Sequence, residues 1–105
     1  MSREAIGAWL AAREPAPPTA LAQRLRQVLD TVPEAALAGM GMAEAMGTLG
    51  ALTLGALGDR GAQAEGVALD LLAADAFVTY AFEAAAEEGT DVPALAQRLL
   101  KDVHA

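Results

Sequence analysis

GAQAEGVALDLLAADAFVTYAFEAAAEE, residues 61–88, is the stretch that decides the fold. It contains no proline and no β-branched alternation, and its apolar positions recur at helical spacing, so it predicts one long α-helix. Gly89 follows where a helix stop belongs. At about 1.5 Å per residue the helix is roughly 40 Å long, whereas a compact chain of this length has a radius of gyration of about 13 Å. Such a helix spans the body, and other helices must cover it.

Steps of about 100° along this helix place Val67, Leu71, Leu72, Val78 and Phe82 on one broad face. That face is the expected inner one. Asp75 falls in its middle, with Thr79 one turn on, and a buried carboxylate there needs a proton, a hydrogen bond, an arginine or water. On the other side lie Leu69, Phe77 and Tyr80. They form a candidate interface, to be covered by the flanking helices or by a second copy of the chain.

Upstream, Pro33 suits the first turn of a helix continuing to Leu57, with Glu34 near its positive end. The turn Gly58-Asp59-Arg60-Gly61 then joins 34–57 to 61–88 as a long antiparallel hairpin. Glu44 and Asp75 stand symmetrically about that turn and are expected at one level of the apolar middle. Two adjacent buried carboxylates resist joint ionisation, so one of them would hold a proton. Asp75, Glu44, Thr79, Thr48 and Met40 are therefore the candidate ligand-binding residues. The simpler structural alternative pairs Asp75 with Arg24, Arg26 or Arg60 and leaves Glu44 to solvent.

Gly39, Gly41, Gly47, Gly50 and Gly55 interrupt the first arm of the hairpin. Each costs a helix up to about 1 kcal/mol relative to alanine. Close approach of a neighbouring backbone over Ala43, Gly47, Ala51 and Gly55 offsets that cost. A break near Gly47-Thr48-Leu49-Gly50 is the alternative, and it would destroy the alignment of Glu44 with Asp75. Glu44 is also the only charge between Ala35 and Leu57. Its cost roughly cancels the gain of about 1.5–3 kcal/mol from the leucines of that segment on an insertion scale, so a membrane span is not expected.

Outside the hairpin, prolines and glycines divide the chain into three more helices. The first covers 2–13 with Ile6, Trp9, Leu10 and Arg13 on one face, and a stiff link follows through Pro15, Pro17 and Pro18. The second starts near Thr19, read as its N-cap, and turns Leu21, Leu25, Val28, Leu29 and Val32 inward. Thr90 or Asp91 caps the last, whose expected buried face is Val92, Leu95, Leu99, Leu100 and Val103. Ala-Leu-Ala-Gln-Arg-Leu occurs at 20–25 and again at 94–99, a repetition that an alanine-rich composition also produces by itself. The expected fold is an all-α, five-helix bundle in a single domain, 1–105.

Composition narrows the function. A net charge of −7 disfavours phosphate backbones, so nucleic acid is not an expected partner. Cysteine is absent, and the single serine, lysine and histidine lie near the chain ends. Thiolate sites, a Ser-His-Asp triad, a buried Schiff-base lysine and histidine-containing metal centres therefore all lack a member. No cofactor and no metal is expected, and the start of the chain shows no secretory signal, which makes the cytoplasm the expected compartment. With 27 alanines and four aromatic side chains, the core is shallow and gains from a second copy. The leading expectation is a non-enzymatic protein-interaction module, homodimeric or bound to another protein. The alternative is a small-molecule binder or enzyme built on Glu44 and Asp75.

Overall fold

The computed structural model describes the backbone of residues 1–60, 66–89 and 92–104, and within these all side chains but 58–60, 92, 95, 99 and 102–104. Among the described residues there are five α-helices: α1 (Arg3–Ala11), α2 (Thr19–Thr31), α3 (Met42–Arg60), α4 (Val67–Glu88) and α5 (Val92–His104). A short 3-10 turn, Glu34–Leu37, lies between α2 and α3. The radius of gyration is 13.0 Å and the longest extent 39 Å, so α4 runs most of the length of the body. α3 and α4 form the dominant packed pair, α2 lies chiefly on α4, and α5 lies chiefly on α3.

The first arm of the hairpin differs from the helix expected over 34–57. Its opening residues form the 3-10 turn, which is pinned by the fully buried Leu37. Gly39 then reverses the chain at φ 77°, a left-handed conformation that a β-carbon disfavours. Beyond that break α3 is continuous through Gly47 and Gly50, so the alternative interruption there does not occur. At its start the Ala43 amide donates to Glu88 Oε1 at 3.2 Å, so a carboxylate from the end of α4 closes the positive end of α3. A β-carbon added at Gly41 would stand 3.6 Å from Glu88 Oε2, an ordinary van der Waals contact, so this approach does not itself require glycine.

The other helix ends follow similar chemistry. Ser2 Oγ accepts from the Ala5 amide at the start of α1. Gly89, at φ 71°, ends α4 with its amide donating to the Ala85 and Ala86 carbonyls, as expected of a glycine stop. Pro18, and not Thr19, occupies the N-cap of α2, and no side chain caps that end. Leu21, Leu25, Val28, Leu29 and Val32 do face the core, while Gln23, Gln27 and Asp30 face outward. Thr90 and Asp91 lie outside the described residues, as do the side chains of Val92, Leu95, Leu99 and Val103. Leu100, expected inside, is exposed.

The inner face of α4 is the main departure from expectation. It consists of Asp70, Ala73, Ala74, Phe77, Ala81, Ala84 and Ala85, whereas Leu71, Leu72, Asp75 and Val78 point outward. Small residues decide the matter, because Ala74 on α4 opposite Gly50 on α3 lets the two backbones approach closely. A β-carbon added at Gly50 would lie 3.1 Å from Val78 Cγ2, 3.3 Å from Phe77 Cβ and 3.4 Å from the Ala74 oxygen. Dispersion across so tight a contact offsets the helix cost of the glycines. Larger side chains on that face would hold the helices apart.

Candidate functional site: the open face of the hairpin

Phe77 is 0% exposed, packed into the core against α3. Tyr80 is half-buried, its ring edge-on to Trp9 of α1 at 5.8 Å between centroids, and Leu69 is half-buried. Of the two expected coverings of that side, flanking helices or a second copy, the structure has Phe77 and much of Tyr80 and Leu69 covered within the chain. Phe77 cannot meet a partner while the fold is intact. The uncovered side is the one expected to be inner.

There, among the described residues, α3 and α4 wall a groove of about 300 Å³. Gly47, Gly50, Ala51 and Ala74 give it a floor of small residues, and Leu54, Leu71 and Val78 stand along it. Leu71 is 50% exposed, and Leu72, one residue on, 56%. Asp75 is the only charged residue of the lining and is exposed. Thr79, one turn along from Asp75, is exposed as well.

The structure does not bring Glu44 and Asp75 together. α3 continues to Arg60, so Gly58, Asp59 and Arg60 belong to the helix, and Gly61 lies outside the described residues. Moving the connection beyond Arg60 shifts the register: Gly50 lies level with Ala74, Phe77 and Val78. Glu44 then falls near the level of Phe82, ~10 Å along the axis from Asp75. Glu44 instead faces α5, with its Oε2 3.8 Å from Arg98 Nη1. Thr48 and Met40 are also separate from Asp75, the Thr48 hydroxyl donating to Met40 Sδ at 3.6 Å, both side chains half-buried.

The buried carboxylate of α4 is Asp70, 5% exposed. Its Oδ1 lies 3.2 Å from Arg24 Nε of α2, at the wall of a cleft of about 240 Å³ that also includes Gln27 and Thr53. An arginine thus does balance a carboxylate of α4, but the carboxylate is Asp70 and not Asp75. Position 70 in the first turn of α4 also sets the charge near the positive helix end. The two arginines of the repeated Ala-Leu-Ala-Gln-Arg-Leu have parallel roles. Arg24 meets an acid in the first turn of α4, and Arg98 one in the first turn of α3.

Glu87 and Glu88 hold elements together. Trp9 Nε1 donates to Glu87 Oε1 at 3.1 Å and Arg13 Nη1 to Glu87 Oε2 at 2.9 Å. The Arg13 guanidinium lies 3.5 Å over the Trp9 ring, fastening α1 to the end of α4. The hydrogen bond from Arg13, and then that from Trp9, lower the Glu87 pKa below its ordinary value. Burial, and then the charge of Glu83, raise that of the Tyr80 phenol, with Arg13 opposing.

Among the described residues no three His, Cys, Asp or Glu side chains cluster as metal ligands, and no helix is long and apolar enough to cross a membrane. The chain matches no protein-family model, and no curated protein or solved structure matches it significantly.

Proposed function

We propose that the chain is a non-enzymatic helical interaction module that works as a homodimer, its copies joined through the open face of α3 and α4. A cytoplasmic setting belongs to the same proposal. The observation that carries it is the arrangement of α4, with alanines turned inward and Leu71, Leu72 and Val78 turned outward, beside a groove whose described lining comes from α3 and α4. A helix with apolar residues on two sides gains from being covered on both. Ridge and groove lie on one surface, so a two-fold contact seats Leu71 of each copy over the small residues of the other. For copies that each carry a net charge of −7, a face whose described lining has a single acid limits their repulsion.

The magnitudes are close. Covering the exposed parts of Leu54, Leu71 and Val78 on both copies gains roughly 4–8 kcal/mol, against about 4–15 kcal/mol for association. Loss of one leucine from each copy therefore tips the balance. Sedimentation equilibrium tests this: the wild type should show a mass twice the 10.7 kDa of one chain, and Leu71→Glu the mass of one chain with unchanged helicity. Asp75→Asn should tighten association, because covering a charge without a partner is costly. A wild type that stays monomeric at every concentration overturns the proposal. The alternative of a site using Glu44 and Asp75 as a pair loses its support with the register described above.

A further inference from the structure

Where α1 folds back over α2, the two helices and the proline link leave a partly enclosed cavity of about 190 Å³. We propose that it is a binding site for a small aromatic carboxylate, with Arg26 at its mouth. The walls are apolar: Leu10 comes from α1, and the buried Leu25 and Leu29 come from α2. Pro17, in the link between the helices, lines the cavity as well. Size selects the ligand, because an apolar cavity of about 150 Å³ accommodates benzene. The present cavity takes a single ring with one small substituent.

Charge selects that substituent. Arg26 is exposed, lines the cavity, and has no hydrogen bond or ion pair among the described residues. Its guanidinium offers paired donors that match the two oxygens of a carboxylate. A ring seated against the leucines with its carboxylate turned to Arg26 satisfies both halves of such a molecule. Gly7 also lines the cavity, and its bare backbone supplies an amide probe at the site.

Benzoate titrated into the ¹⁵N-labelled full chain is the test, read by amide shifts. Saturable shifts are expected at Gly7, Ala11 and Ala22, with benzoate binding several-fold tighter than benzyl alcohol. Arg26→Gln should remove that preference while leaving benzyl alcohol unaffected, since an exposed charge pair is worth only a few-fold in affinity. Ala22→Phe and Ala11→Phe each enter the cavity from an exposed rim position, and each should abolish binding while the remaining amide spectrum persists. Shifts that do not saturate, shifts confined to α3 and α4, or a benzoate preference that survives Arg26→Gln would each overturn the assignment.

Discussion

Gly50 and Gly55 share a helix and differ in what surrounds them. At Gly55 an added β-carbon meets nothing within 4 Å, so Gly55→Ala should stabilise the fold by up to about 1 kcal/mol through helix propensity alone. At Gly50 the same atom meets the Phe77 β-carbon and the Ala74 carbonyl, neither of which can swing aside. Gly50→Ala should therefore destabilise by ~1 kcal/mol, its overpacking cost exceeding the propensity gain. Urea denaturation of the two variants checks the contrast, and stabilisation of both would refute the close helix contact. The sequence showed that the glycines needed such a contact, but its weighting by side-chain size selected the wrong face of α4. Asp70 could have been found from its place at positions i−3 and i−7 from Ala73 and Phe77, had the alanine stripe been taken as the inner face.

At the scale of elements, α1 tests how polar contacts fasten a helix to the hairpin. Ile6 anchors it by burial, while Trp9 and Arg13 hold it through Glu87. The Glu87 pKa is lowered on folding, so its stabilising contribution is fully present above the unfolded value near 4.5 and is lost as pH falls through the lower folded value. Trp9 is the only tryptophan, and its emission should stay constant from neutral pH down to that range and then shift red. Glu87→Gln, which keeps the shape and removes the charge, should show part of the shift already at pH 7. Wild-type emission unchanged on acidification would contradict the latch. The inward residues of α1 and α2 were legible because large apolar side chains define those faces. Glu87 was not, since its partners, Trp9 in α1 and Arg13 just beyond it, lie more than seventy positions away.

The whole molecule is a hairpin of long helices whose alanine and glycine faces meet, with shorter helices covering part of what remains. The all-α class and the hairpin were readable from helix periodicity and from Gly89. The register was not, because it depended on whether α3 ended at Leu57 or at Arg60, and that difference separates Glu44 from Asp75. Nor was the inner face of α4, because its small residues, and not its leucines, pack against α3. Since the chain contains no cysteine, single-cysteine variants report the open face cleanly. With a short bis-maleimide linker, Ala51→Cys in the groove should yield covalent dimers in high proportion, and Ala20→Cys on the exposed side of α2 almost none. Equal cross-linking at the two positions, or none at Ala51→Cys, would contradict a dimer built on the open face of α3 and α4.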